Sequence, residues 1–387
     1  MTSTIYTPPD SSEAKLEESL EAQDQGNEVF YASKKRLMWL RFKQHKVALF
    51  SGIMIAFAYL VAIFAHFVSV EDINQFNAKY SYVAPTEIHW VDKEGNFTRP
   101  YIYNITRKIN MDTLEYEYTA GEDVYPIKLF HRGYKYTFLG LIDTDLHIMG
   151  VDEGAALFLM GSDKLGRDIF SKVVHGARIS LSIGLIGVFL SLVFGTILGG
   201  ISGFYGGRTD TLIQRLIEVL MSFPSIPLWM ALAASLPPQW SPLVVYFMIT
   251  LILSLIGWTG IGRVVRGIVM RLKEEKYTEA ALLSGASNFY IIRKHLIPGA
   301  TSFVIAQATL SIPAMIIAET SLSFLGIGLR PPVVSWGVLL QDAQSVTVIA
   351  NNPWVLYPAL FVIAIVLFFN FLGDGLRDAA DPYMNRA

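Results

Sequence analysis

The sequence predicts an all-α, polytopic membrane protein with six transmembrane helices and a small β-containing insertion outside the membrane. Hydrophobic residues make up 52% of the 387 residues and charged residues only 17%, whereas soluble domains are about one quarter charged. The mean hydropathy is +0.40. A bilayer core of about 30 Å requires about 20 apolar residues per helix. Six stretches without a charged residue meet this requirement, namely 47–70, 179–205, 219–240, 241–262, 299–318 and 353–373.

The composition excludes several classes of function. The chain has no Cys, which excludes disulfide scaffolds, zinc–thiolate sites and thiol catalysis. A net charge of −2 gives no basic excess for binding nucleic acid. The sequence contains no Gly-rich Walker loop, no His-Glu-x-x-His and no Gly-x-Ser-x-Gly, and its seven His residues show no metal-ligand spacing. We therefore expect neither a bound cofactor nor catalytic chemistry in this chain.

The distribution of Lys and Arg predicts the orientation in the membrane. With both termini in the cytoplasm, the inner loop 263–298 holds seven Lys and Arg and residues 1–46 hold another seven, whereas the two short outer loops hold only Arg330. Segment 71–178 carries twelve, but long segments cross the membrane largely regardless of charge. The short loops therefore predict that both termini are cytoplasmic. The resulting division is a cytoplasmic N-terminal tail (1–46), a first transmembrane helix (47–70), an extracytoplasmic segment (71–178), a transmembrane core (179–373) that includes the cytoplasmic loop 263–298, and a cytoplasmic tail (374–387).

The two extramembrane segments differ in pattern. Residues 1–33 contain seven acidic residues against Lys15 alone and are expected to be disordered or loosely helical. The basic run 34–46 is interleaved with apolar residues, so it is either an amphipathic helix on the inner membrane surface or a topology signal alone. In the outer segment, 88–91 and 97–105 flank an Asn/Gly turn and predict a hairpin, and 116–118 and 125–130 are further strand candidates.

Small residues predict close helix packing in the second span. Gly195, Gly199 and Gly203 are successive small-xxx-small positions on one helix face. Such a stripe allows another helix to approach closely, and the pattern leaves open whether that helix belongs to this chain or to a partner.

The inner loop 263–298 is predicted to form a helix–turn–helix. The first helix is expected to end near Gly285, because glycine tolerates the left-handed conformation of a helix C-cap. Ser287 or Asn288 can cap a second short helix, which Pro298 is expected to stop at the membrane. The apolar positions Leu282, Phe289 and Ile292 would then require a partner surface. The alternative is a solvated interhelical loop.

Four motifs resemble those of one transporter family. The run Glu279-Ala280-Ala281-x3-Gly285, followed by His295-Leu296-Ile297-Pro298, resembles the EAA loop of ABC importer permeases, although the usual ending is Ile-Leu-Pro. Residues 161–168 with 176–178, 319–328 with 335–337, and 372–382 are similar to the C-type subunit of dipeptide, oligopeptide and nickel permeases. The long outer segment departs from most such subunits and is similar to a long-loop branch assigned to peptides or oligosaccharides.

This resemblance implies a fold, a function and partners. It implies the type I ABC importer permease fold in a bacterial inner membrane. It further implies alternating access, driven by ATP and Mg bound to two partner ATPase subunits. A homologous permease subunit and an extracytoplasmic binding protein would complete the complex, in contact with the lipid bilayer. By the same resemblance, the residues that contact the ATPases are Glu279, Ala280, Ala281, Gly285, Ala286, His295 and Pro298. A secondary transporter or a channel is the alternative, although the spans lack the acidic residues that ion coupling requires.

Charged residues near the outer ends of the spans are candidates for the transport pathway or outer gate. Glu319 and Ser323 adjoin the fifth span, where Glu319 either belongs to the pathway or is a structural partner of Arg330 or of a backbone amide. Asp163, Arg167 and Asp168 precede the second span and either shape the outer mouth or cap an interfacial helix. The outer segment itself is expected to dock the binding protein, to pack on the partner permease, or to have no role.

Overall fold

The computed structural model describes residues 34–92, 94–109, 111 and 116–380. Within this range five helices are long and apolar enough to cross a membrane. They are α2 (Lys46–Ile63), α4 (Ile169–Tyr205), α7 (Pro242–Lys273), α10 (Ile297–Phe324) and α13 (Tyr357–Ala380). The predictions for residues 1–33 and for Asp381 and Pro382 lie outside the described residues.

The third predicted span is not the single helix expected over 219–240. It is a bent pair, α5 (Gly207–Ser222) and α6 (Ser225–Ala234), whose axes meet at 86°. The break falls at Phe223 and Pro224, because a proline has no N–H for the helical hydrogen bond and its ring displaces the preceding turn. The absence of charge over 219–240 correctly indicated an apolar segment but did not reveal this bend. The pair forms a sixth span only if the two helices cross together.

The glycine stripe of the second span packs against the fourth span of the same chain. A side chain at Gly199 would meet the carbonyl oxygen of Gly262, and a Cβ at Gly203 would lie 2.7 Å from the carbonyl oxygen of Arg266. Both contacted residues belong to α7, so α4 and α7 approach each other backbone to backbone. The helix that packs on the glycine stripe therefore belongs to the same chain.

A single large apolar cluster joins the membrane helices. It includes Leu181 and Ile183 of α4, Leu253 of α7 and Ile316 of α10, all of which are almost completely buried. The short helices around this core are α1 (Lys34–Gln44), α3 (Ala65–Val68), α8 (Lys276–Leu283), α9 (Asn288–Ile291), α11 (Trp336–Leu339) and α12 (Val346–Asn351).

Two antiparallel sheets lie between the first and second spans. One has the order β1-β2-β3, with strands β1 (His89–Val91), β2 (Phe97–Ile109) and β3 (Tyr116–Pro126). The other pairs β4 (Lys128–Phe138) with β5 (Ile142–Gly150). The small β insertion that the sequence predicted is thus present. The strand candidate 125–130 instead straddles the end of β3 and the start of β4, and β5 has no counterpart among the predicted strands.

Candidate functional site

The first helix of the 263–298 loop ends in a Schellman motif at Gly285. The N–H of Ala286 donates to the carbonyl of Ala281 (3.1 Å) and that of Gly285 donates to Leu282 (3.0 Å), which satisfies two carbonyls of the last turn of α8. Gly285 has φ +81°, a conformation that glycine adopts without strain. Its predicted role as the end of this helix therefore agrees with the structure.

The second short helix begins where the sequence placed it but does not end there. The hydroxyl of Ser287 accepts from the N–H of Tyr290 (3.3 Å) and caps α9. From α9 the chain passes through one π-helical turn, Ile292–Leu296, directly into α10. The prediction that Pro298 stops this helix is wrong. Pro298 lies in the first turn of α10, where a missing N–H is tolerated, and the wider π turn precedes it.

The loop is seated on the ends of the membrane helices by a buried apolar cluster. Ile291 and Leu296 are fully buried against Val265 and Val269 of α7 and Phe204 of α4. The hydroxyl of the buried Thr278 donates to the carbonyl of Leu272 (2.8 Å) and ties α8 to the end of α7. The loop is therefore packed on the helix bundle and is not a separate solvated segment.

The opposite face of the loop is open and apolar. The side chain of Leu283 is 84% exposed and that of Phe289 is 71% exposed, and Leu282 and Tyr290 are exposed beside them. Ile292, which was expected on this face, packs against the buried cluster instead. The residues that were expected to contact the ATPases all lie in the helix–turn–helix or directly after it. Among them, Glu279, Ala280, Gly285 and Pro298 are exposed, and Ala281, Ala286 and His295 are half-buried. The ring of His295 lies between Tyr277 and Tyr290, at centroid distances of 5.9 and 5.8 Å.

An ion pair that sequence reasoning missed ties α5 to α7 near this loop. Asp210 accepts from Arg266 through both oxygens, with Nε–Oδ1 at 2.5 Å and Nη2–Oδ2 at 2.6 Å. The hydroxyl of Ser202 on α4 donates to the same carboxylate (2.5 Å). No sequence signal distinguished this pair, because both residues stand among other charged residues and are 56 positions apart.

Glu319 lies in a buried network of hydroxyl groups. Its carboxylate accepts from Ser180 on α4 (3.1 Å), Ser323 on α10 (2.8 Å) and Ser335 before α11 (2.7 Å). Glu319 is fully buried, so these contacts join three elements through one acidic side chain. The alternative role as a partner of Arg330 is not what the structure shows, because the guanidinium of Arg330 donates to the carbonyl of Gly326 (2.9 Å).

Asp163 is the centre of a second buried charge cluster. Its Oδ2 accepts from Lys172 (2.6 Å) and from Arg167 (2.7 Å), and its Oδ1 accepts from the backbone N–H groups of Leu165 and Arg167. Burial alone would raise the pKa of Asp163, but the ammonium of Lys172 and these hydrogen bonds hold it below its usual value. The three charged residues line a cavity of ≈ 360 Å³ on the same side of the membrane as the sheets.

Asp168 caps the second membrane helix. It accepts from the N–H groups of Phe170 (3.3 Å) and Ser171 (2.8 Å), which begins α4 at Ile169, well before the predicted residue 179. Burial raises the pKa of Asp168 to about 6. The structure therefore assigns Asp168 the capping role, whereas Asp163 and Arg167 line the cavity.

Two known families match the sequence. Residues 195–386 match the family described as "Binding-protein-dependent transport system inner membrane component", and residues 33–85 match the "N-terminal TM domain of oligopeptide transport permease C".

Individual relatives match over more than half of this chain. The dipeptide transport system permease protein DppC of Bacillus subtilis (strain 168) is 40% identical over 227 residues, which are 58% of this chain and 69% of that protein. The oligopeptide transport system permease protein OppC of Haemophilus influenzae is 41% identical over 244 residues, 62% of this chain and 75% of that protein. Among solved structures, the MetNI methionine ABC transporter in an inward-facing conformation has 17% identity and a TM-score of 0.40, covering 54% of this chain and 96% of that chain.

Proposed function

Because the chain belongs to the dipeptide and oligopeptide permease family of ATP-binding-cassette importers, we propose that it imports peptides as one half of a permease heterodimer. The predicted family and fold class are confirmed by these matches and by the membrane helices. Permeases of this family are non-catalytic membrane components. The rest of the proposed complex is a homologous permease, two ATPase subunits that bind ATP and Mg, and an extracytoplasmic binding protein. In this proposal both termini and the 263–298 loop are cytoplasmic and the sheets are extracytoplasmic.

The two-faced coupling loop, defined as residues 276–296, is the observation that carries the proposal. Its exposed face, with Leu283 and Phe289, is apolar and is suited to a groove on a partner. Its buried face, with Ile291 and Leu296, is fixed to α4 and α7 and continues into α10. Movement of an ATPase subunit against the exposed face would therefore move three membrane helices together. The Asp210–Arg266 ion pair would add α5 to this moving group.

The proposed substrate class comes from the relatives. The two relatives are named as dipeptide and oligopeptide transport permeases, and we extend the peptide class to this chain. Oligosaccharides are the other class that the long outer segment suggested. Binding proteins commonly select the substrate of such importers, so uptake must be measured in cells that contain the complete set of subunits.

The first experiment tests the ATPase partners. The tagged chain is purified in detergent from its native membrane, and the co-purified proteins are identified by mass spectrometry. We expect ATPase subunits to co-purify with the unaltered chain and to be lost with Leu283→Asp. Docking of the ATPase would bury the new carboxylate without a compensating charge. The control is Val346→Asp on α12, a position that is also largely exposed but lies outside the coupling loop. Purification of the unaltered chain without ATPase subunits would refute the proposal.

The second experiment tests the substrate. Cells that lack this chain are supplied with radiolabelled dipeptides, oligopeptides or oligosaccharides, with and without a plasmid that restores it. We expect ATP-dependent uptake of peptides only in the restored cells. If the plasmid restores uptake of oligosaccharides alone, the substrate is an oligosaccharide and not a peptide. That outcome would not contradict the proposed coupling to ATPase subunits.

A further inference from the structure

The β4–β5 hairpin lies along residues 64–69, which follow the first membrane helix and include α3, and β4 runs antiparallel to them. Along the helix, Phe64, His66 and Ser69 follow one another away from the membrane span, which ends at Ile63. Along β4, three contacting residues come in reverse order, and Phe130, outside this order, contacts Phe67 (6.4 Å). The hydroxyl of Tyr134 donates to Ser69 Oγ (3.2 Å), the ring of Tyr136 stacks on His66 (5.3 Å), and the ring of Phe138 stacks on Phe64 (5.6 Å).

Buried hydrogen bonds fix the hairpin in this position. His147 of β5 is almost completely buried, and its Nδ1 lies 2.9 Å from the carbonyl oxygen of His66 and 3.0 Å from that of Ser69. Its Nε2 lies 3.0 Å from the carbonyl oxygen of Tyr134. His175 of α4 adds a contact from its Nε2 to His66 Nδ1 (3.2 Å). The hairpin is therefore attached to the outer end of the first membrane helix, and His66 links that end to α4.

This antiparallel register directs the hairpin tip back toward the bilayer. The 18 residues of α2 give about 27 Å of helix at 1.5 Å per residue, close to the thickness of the hydrocarbon core. Phe64 therefore lies at the membrane interface. Because β4 descends as the helix ascends, the residues after Phe138 lie at the depth of the last turn of α2, where Leu60 and Ile63 are exposed.

The tip has the composition of a lipid-contacting segment. Residues 138–142 read Phe-Leu-Gly-Leu-Ile and contain no charged or polar side chain. Leu141 is 83% exposed and Ile142 is 64% exposed, with Leu139 exposed beside them. Leu139 also has φ +50°, a conformation that glycine or asparagine adopts more easily than leucine. Apolar side chains in such an exposed turn are stabilised neither by water nor by burial within this chain.

We propose that the tip of the β4–β5 hairpin, residues 139–142, is inserted into the lipid leaflet on the side of the sheets. The side chains of Leu139, Leu141 and Ile142 extend the lipid-facing surface of α2 into the interface. The N–H of Leu141 donates to the carbonyl of Phe138 (3.0 Å), which satisfies one backbone pair of the turn and lowers the cost of placing the turn at the interface. The hairpin thus sets the height of the sheets above the bilayer.

Spin labels at single cysteines test this placement, since the chain has no native Cys. Leu141→Cys is labelled with a nitroxide in the full chain, purified with its co-purifying subunits and reconstituted in lipid nanodiscs. Two controls carry the same label: Lys135→Cys, higher on the same hairpin, and Phe97→Cys, an apolar position 88% exposed on the other sheet. The measurement is the collision rate of each label with oxygen, which concentrates in lipid, and with a water-soluble nickel chelate.

We expect the label at residue 141 to collide mainly with oxygen and the labels at 135 and 97 to collide mainly with nickel. A label at 141 that collides mainly with nickel lies in water and overturns the proposal. A label at 141 that is shielded from both reagents lies against another protein subunit, which also overturns it. Size-exclusion profiles matching the unaltered complex confirm that each labelled variant is folded.

Discussion

Gly285 determines the angle between the two helices of the coupling loop. A Cβ added there would meet no atom within 4 Å, so crowding does not explain the requirement for glycine. The backbone conformation explains the requirement, because φ +81° is unfavourable for residues with a side chain and most unfavourable for β-branched residues.

We therefore expect Gly285→Val to strain the loop by about 1–2 kcal/mol and to misplace α9. The variant should still insert into the membrane, but substrate should no longer stimulate ATP hydrolysis in the assembled complex. Gly285→Asn is the matched control, because asparagine tolerates the left-handed conformation and should retain most coupling. Normal stimulated ATPase activity in Gly285→Val would contradict the prediction.

The raised pKa of Glu71, which lies between α3 and β1, predicts that the stability of the folded chain depends on pH. Burial, together with the nearby carboxylates of Asp168 and Asp72, raises the pKa of Glu71 to about 7 from an ordinary value of 4.5. A carboxyl group with a raised pKa in the folded state favours folding while it is protonated. Its ionisation opposes folding increasingly as pH rises from about 4.5 to about 7.

We expect Glu71→Gln to be more thermostable than the unaltered chain at pH 8 and nearly equal to it at pH 4.5. Thermal unfolding in detergent, followed at both pH values, measures the difference. Glu153→Gln, an exposed substitution on the same side, should change neither value. An equal effect of Glu71→Gln at both pH values would rule out ionisation as the cause.

At the scale of elements, the contact between α4 and α7 depends on which glycines face it. A methyl group at Gly199 would collide with the backbone of Gly262, whereas one at Gly200 would meet no atom within 4 Å. The two neighbouring positions therefore form a matched pair on one helix.

Gly199→Ala should force α4 and α7 apart and lower the unfolding temperature, with a loss of typically 1–3 kcal/mol for an overpacked contact. Gly200→Ala should be neutral or stabilising, because alanine favours a helix by about 1 kcal/mol over glycine. Thermal unfolding of both variants in the same detergent checks the difference. Equal destabilisation by the two substitutions would mean that the close approach is not limiting.

The features predicted correctly from the sequence are those set by residues close together in the chain. The C-cap at Gly285, the N-cap at Ser287 and the first hairpin turn each depend on fewer than about six residues, as capping and turn rules require. The glycine stripe of α4 was also visible, since its period follows from helix geometry.

The features that were missed depend on distant pairs. Nothing local relates Asp210 to Arg266 or connects Glu319 with the hydroxyls of Ser180 and Ser335. The histidines at 66, 147 and 175 show no ligand spacing, and only folding brings them together. Strand β5 was missed although Ile142, Leu146 and Ile148 alternate with polar residues. The side chain that it buries is His147, and its pairing with β4 could not be read from the sequence.

At the scale of the whole molecule, the sheets and the coupling loop lie at opposite ends of the helix bundle. The sheets join the end of the first span to the start of α4, whereas the loop joins α7 to α10. The concentration of Lys and Arg in the loop predicts that it is cytoplasmic.

A membrane-impermeant maleimide should therefore label Asn96→Cys in intact cells and label Glu274→Cys only after the cells are permeabilised. Both positions are exposed, and Glu274 precedes the coupling loop, outside its apolar docking face. Gel-shift or fluorescence of the labelled protein gives the result. Labelling of Glu274→Cys in intact cells would reverse the proposed orientation.

The right-angled break between α5 and α6 also constrains how the ribosome-bound chain enters the bilayer. With ten residues, α6 is about 15 Å long and reaches only halfway across the hydrocarbon core. Its neighbour α5 meets it at 86° and carries Asp210, whose ion-pair partner is on a later helix. Arg266, the group that neutralises it, is synthesised 56 residues later on α7. We therefore expect the translocon to retain residues 207–234 until α7 has emerged, and to release the three helices into lipid as one unit.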